Sequence, residues 1–136
     1  MPRRIRQKRS WPTAIMRPDT REEELTIAIN TNVSTVIDTD NGRWRLVGVK
    51  MPAAWTAASI TFDVSADGVS WHNLRHAGAE YTIAAAGGAA ADLAFTVLPE
   101  VLDAWPFVRI RSGVFGAYID QLAERELVAT LTTNTY

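Results

Sequence analysis

From Glu24 onward, apolar residues recur at every second position. Leu25, Ile27 and Ile29 alternate with polar or small neighbours, the period of a half-buried strand. Val33–Asp38 is rich in β-branched residues and leads into Asn41-Gly42. That dipeptide accepts positive φ values and predicts a type I′ hairpin turn. Arg43–Lys50 returns as a strand, with Trp44 and Leu46 expected on one face and Val47 and Val49 on the other. Ser59–Ser65 directs Ile60, Phe62 and Val64 inward. Asp67-Gly68 then predicts a second hairpin, whose return strand, Val69–Leu74, carries Trp71. Tyr81–Ile83 is a short strand, and Leu93, Phe95 and Val97 give another alternating set. In Phe107–Ser112, Val108 and Ile110 share one face while Arg109 and Arg111 share the other. A weak Tyr118-Ile119 segment and Glu126–Thr132 complete the series.

Many short strands without alternating helices predict an all-β fold, an antiparallel β-sandwich of the jelly-roll kind. Pro99–Trp105 is the one helical candidate, with its Pro where a first turn tolerates one. Ala84–Ala91 reads AAAGGAAA, and its paired glycines favour a loop over a helix. Small side chains there suit close approach to a neighbouring subunit. The 136 residues make one body of ordinary size. Trp44, Trp71 and Trp105 sit in or beside apolar patterns and are expected in the core. Trp55, after Met51-Pro52-Ala53-Ala54, is either core or an exposed stacking platform.

The first 21 residues break the pattern. Pro2, Pro12 and Pro18 resist helix and sheet interiors, and the few apolar residues show no period. Residues 1–21 are therefore expected as an extended arm and residues 22–136 as the sandwich. Charge divides the same way. The net charge is −1, yet seven of 14 basic residues lie at or before Arg21, opposed only by Asp19. The arm carries +6 and the remainder −7. Ordering such an arm costs about 1–2 kcal/mol per residue of backbone entropy, which only contacts offset. The opposed charge permits docking on the chain's own body, but a partner is the favoured receiver, through Arg3, Arg4, Arg6, Lys8, Arg9 and Arg17, with Ile5 and Trp11 as apolar anchors. The same basic run also permits binding to nucleic acid through phosphates.

Candidate chemistry is sparse. The absence of Cys excludes disulfides, thiolate metal sites and cysteine nucleophiles. His72 and His76 have metal-like spacing but lie in a strand-and-turn segment, so they read as rim histidines. Asp38-Thr39-Asp40-Asn41-Gly42 resembles the start of a calcium loop, but its Gly comes one position early and its twelfth residue is Val49. No metal or cofactor is expected. No acid, base and nucleophile converge, so an enzyme is not expected. No apolar run is long enough to span a membrane, and no signal peptide is read at the basic start. Arg109 and Arg111, on the polar side of their strand, are available for interfacial carboxylates.

Three segments carry a family likeness. Gly48, Met51, Pro52, Trp55, Thr56, Ala58, Phe62, Ser65, Asp67 and Gly68 form one spaced set. The second is FVRIRSG at Phe107–Gly113, and the third is Gln121, Ala123 and Arg125. Over Arg43–Leu131 the chain resembles small structural proteins of alphaproteobacterial bacteriophages and prophages. The strand layout is also similar to jelly-roll domains of the discoidin and carbohydrate-binding-module kind. The first resemblance implies a virion component: a head-decoration or minor capsid protein, with a neck or tail position as a close variant. Such a protein assembles in the host cytoplasm, in multiple copies in a symmetric shell, with other virion proteins as partners. The second implies an alternative, a carbohydrate-binding module with Trp55 as its platform. Nucleic-acid binding by the arm is a third.

Overall fold

A computed structural model describes residues 19–84 and 89–133. They form an antiparallel β-sandwich. One sheet runs in the order β1 (Thr20–Ile27), β11 (Arg125–Thr133), β3 (Trp44–Lys50) and β8 (Ala94–Thr96). The other runs β10 (Ala117–Tyr118), β9 (Phe107–Val114), β4 (Ile60–Ser65) and β5 (His72–Asn73). β2 (Ile37–Asp38) also pairs with β9. A separate ribbon joins β6 (Arg75–His76) to β7 (Ala79–Glu80). The chain repeatedly crosses from one sheet to the other, so strands distant in sequence lie side by side: β1 on β11, β4 on β9.

Period-two alternation builds the core. Leu25, Ile27, Leu46, Val49, Leu127, Ala129 and Leu131 of the first sheet face Ile60, Phe62, Val64, Val108 and Ile110 of the second, and none is more than 1% exposed. Each large member contributes about 1.5–3 kcal/mol by leaving water. Trp44, Trp55, Tyr81, Phe95 and Trp105 pack around this cluster, partly buried.

Several local expectations change. In β3, Leu46 and Val49 both face inward although they are an odd three positions apart. Thr130 pairs with Gly48 but Leu131 with Leu46, which leaves Val47 as a bulge residue and resets the alternation. The turn at Asn41-Gly42 does form: Asp40, Asn41 and Gly42 have φ of 55°, 54° and 85°, and the Trp44 amide donates to Thr39 O at 2.9 Å. Its flanking strands nevertheless diverge, β2 to β9 and β3 to β11, so it links the sheets and does not close a hairpin. The Asp67-Gly68 turn does join paired strands, β4 and β5. Pro99–Trp105 holds a 3₁₀ turn at Pro99–Val101 in place of two helical turns, because Val101 and Leu102 anchor it to the core. Ile29 and Leu93 lie beyond their strand ends and are exposed. β1 already includes Thr20 and Arg21, so the sandwich begins before residue 22.

One backbone position is unusually constrained. Gly113 has φ +95°, and an added Cβ would sit 2.8 Å from Ile119 N and 2.9 Å from Ala117 O. Gly116, in the same hairpin at φ +83°, has open space around it. Gly113→Ala is expected to destabilise the fold by about 3 kcal/mol, combining left-handed strain with a backbone clash, against about 1 kcal/mol for Gly116→Ala. Urea denaturation of the two variants checks the difference.

Candidate functional site

β4 is buried on both faces. Besides its core row, Thr61, Asp63 and Ser65 on the outer face are at most 4% exposed. A carboxylate at Asp63 is costly to bury without cations. The β4–β9 register supplies two. Arg109 lies directly across from Asp63, and Arg111, two residues further along, projects from the same face. Asp63 Oδ2 accepts from Arg109 Nε at 3.0 Å and from Arg111 Nη1 at 2.7 Å, and Arg109 Nη2 lies in ion-pair range at 3.0 Å. Arg111 Nη2 donates to Asn32 Oδ1 at 2.6 Å.

Aromatic rings close the row at both ends. The Arg109 guanidinium lies 4.2 Å from the centre of the Trp71 ring, and that of Arg111 lies 3.8 Å from the Tyr118 ring. The chain of contacts runs Trp71, Arg109, Asp63, Arg111, Tyr118. Burial, then the Asp63 charge, raises the Tyr118 phenol above its ordinary value. Nearby, Asn73 Nδ2 donates to Glu80 Oε2 at 2.7 Å, and Glu80 also accepts the Phe115 amide. Among the described residues, Asn73 Oδ1 and Arg111 Nε are buried without a hydrogen-bond partner. Arg109 and Arg111, expected to meet carboxylates across an interface, thus hold a carboxylate of their own chain. Trp71, expected in the core, covers Arg109 on the outer face.

A second polar centre ties one end of the sandwich. Gln121 is fully buried. Its Oε1 accepts from the Thr56 amide at 2.8 Å and from Arg125 Nε at 3.2 Å. Its Nε2 donates to Thr56 O at 3.0 Å and to Ser112 Oγ at 2.8 Å. Its backbone donates to Thr31 O and accepts from the Asn30 amide. The loop after β3, the start of β11 and β9 converge on this side chain, and the loop after β1 bonds its backbone. Trp55 enters this arrangement half-buried, packed on the core, with its indole N–H donating to Ala58 O at 3.1 Å. Around the same end, Ile29, Ile119 and Leu122 are exposed.

The remaining candidates fall in different places. Arg3, Arg4, Ile5, Arg6, Lys8, Arg9, Trp11 and Arg17 lie outside the described residues. His72 and His76 are exposed on separate short strands. Asp38 Oδ1 accepts the Asp40 amide at 2.8 Å, a turn-forming bond. Among the described residues no group of three or more His, Cys, Asp or Glu could hold a metal ion. No helix among them is long and apolar enough to cross a membrane. Asp63, Tyr118 and Asn32 escape a reading of local pattern. The signal was an acidic residue at an outward strand position and an Arg-x-Arg strand elsewhere, which only the β4–β9 pairing connects.

No protein-family model matches the chain. No curated protein matches it. Among solved structures, the SPBc2 prophage-derived protein YomS is similar at a TM-score of 0.49 and 12% identity, over 85% of this chain and 95% of that one. A likeness that remote carries no role from one protein to the other.

Two outcomes follow from the polar framework. Asp63→Ala leaves two half-buried guanidiniums without their anion and is expected to cost about 3 kcal/mol in urea denaturation. Asp67 is held below its ordinary carboxylate pKa by the Ser70 and Val69 amides and the Ser65 hydroxyl. A depressed folded pKa contributes stability that is present above the ordinary value of 3.8 and is lost as pH falls through the folded one. Asp67→Asn is therefore expected to flatten the acid limb of a Tm-against-pH curve and leave its shape above pH ~5 unchanged.

Proposed function

We propose that this protein is a structural component of a bacteriophage particle, a head-decoration or minor capsid protein, or a neck or tail subunit of the same design. In this reading a preformed sandwich is fastened to neighbouring virion proteins by its N-terminal segment. The observation that carries it is the division of labour between the two parts. Residues 1–18 hold six basic and no acidic side chains, while the rest of the chain carries −7. Within the described body, Arg109, Arg111 and Trp55 are engaged in holding the fold together. The concentrated cationic chemistry therefore lies in the arm.

The resemblance over Arg43–Leu131 supports the virion setting. Residues that carry it, Trp55, Thr56, Ser65, Asp67, Arg109, Arg111, Gln121 and Arg125, make the bonds that define the body. They describe a scaffold more than a binding pocket. A scaffold repeated in a symmetric shell needs only weak contacts per copy, because many act together. A proline-containing arm also loses less entropy on docking than a fully flexible one. Other virion subunits, and further copies of this chain, are the partners this reading requires.

Deleting residues 2–18 is expected to leave a folded protein, judged by an unchanged thermal transition, that no longer joins particles. Quantifying its copy number in purified particles decides the matter: full occupancy without the arm overturns the fastening role. A mobility shift with duplex DNA that needs Arg3 to Arg9 and vanishes at moderate salt would move the assignment to nucleic-acid binding.

A further inference from the structure

We propose that the open edge of β1 receives residues 3–9 of another copy of this chain, which add to it as an antiparallel strand. The inference rests on the fastening role above and names the receiving surface. β1 ends the first sheet, and beyond it only Thr26 and Ile27 find backbone partners, at Thr35 and Ser34. Along Thr20–Leu25 that edge has no backbone partner among the described residues. An open strand edge of this length presents amides and carbonyls that template pairing with another chain.

The edge is acidic. Glu22 and Glu24 are exposed on the outer face, and Glu126, paired with Thr26, shares that face. Lys50 bonds Glu22, and Glu23, on the opposite face, bonds Arg21. The incoming segment has the complementary period. In Arg3-Arg4-Ile5-Arg6-Gln7-Lys8-Arg9, Arg4, Arg6 and Lys8 fall at alternate positions. In a strand, residues two apart lie on one face about 6.6 Å apart, the same repeat that spaces Glu22 from Glu24. Cross-strand pairs of opposite charge then form at Glu22 and Glu24, and each is favourable.

A second copy is taken as the donor because a tight return of the same chain is mismatched, and a wide return is the outcome in which wild type stays single in the test below. Asp19 continues the β1–β11 ladder: its carbonyl accepts the Thr133 amide at 2.8 Å, and its own amide donates to Thr133 Oγ1 at 2.8 Å. A tight reversal just before Asp19 would set Thr13 and Trp11, not the basic run, against Glu22 and Glu24. It would also place Pro12, which has no amide donor, opposite Glu23. A sister copy meets no such count.

The test uses two full-length variants and their mixture. In one, Glu22→Lys and Glu24→Lys reverse the edge; in the other, Arg4→Glu, Arg6→Glu and Lys8→Glu reverse the arm. Sedimentation velocity at low salt is expected to show wild type self-associating, each variant alone as a single copy, and the equimolar mixture associating again. Restoration on mixing is possible only between chains. A mixture that stays single, or an edge variant that associates like wild type, overturns the proposal. Circular dichroism reports folding, and Glu24→Lys alone, which spares the Glu22–Lys50 bond, repeats the test with a gentler change. Particle incorporation separates the two ideas. An edge variant that enters particles at wild-type occupancy, while the residue 2–18 deletion is excluded, sinks this surface and leaves the fastening role standing. Entry of the deletion as well sinks the role itself.

Discussion

A carboxylate on the outer face of a central strand is the constraint from which the second sheet is organised. Asp63 is 4% exposed and accepts one hydrogen bond from each of two guanidiniums on the neighbouring strand. Those guanidiniums in turn need flat, weakly hydrated neighbours, which Trp71 and Tyr118 provide. A polar row of this kind does not add much net stability over an apolar one. It does specify register, because a one-residue slip of β9 against β4 would bury Arg109 and Arg111 in the core and expose Val108 and Ile110.

Gln121 does for the loops what Asp63 does for the sheet. It lies outside any strand, yet both ends of its amide are satisfied by Thr56, Arg125 and Ser112. A buried amide with every donor and acceptor matched tolerates little movement of its neighbours. The loop after β3, the start of β11 and the end of β9 are thereby fixed relative to one another. The exposed apolar residues beside it, Ile29, Ile119 and Leu122, sit on a rigid end.

These two centres explain why the spaced motifs of the chain belong to its architecture. Ser65 and Asp67 shape the β4–β5 turn, where Asp67 Oδ1 accepts the Val69 and Ser70 amides at 2.8 Å. Trp55 packs on the core and bonds its own loop. The body builds its own core and most of its polar contacts, and the excess of basic charge lies in the sequence at residues 1–18.

The alternation of Ile60, Phe62 and Val64, of Val108 and Ile110, and of Leu25 and Ile27 settled an all-β sandwich and its inner faces before any partner strand was known. Period two is a property of the backbone, so a half-buried strand reveals it locally. The concentration of basic charge before residue 19 and of acidic charge after it was equally legible, since charge is additive along a chain. Strand pairing was not. Asn41-Gly42 carries the local chemistry of a hairpin, yet its strands enter different sheets, because each finds a better apolar match elsewhere. The bulge at Val47 depends on the register of β11, which lies about 80 residues away in the chain. The roles of Asp63, Arg109, Arg111 and Trp71 required the β4–β9 adjacency, for a buried charge takes its meaning from what lies within a few ångströms of it. Tertiary structure alone decides that distance.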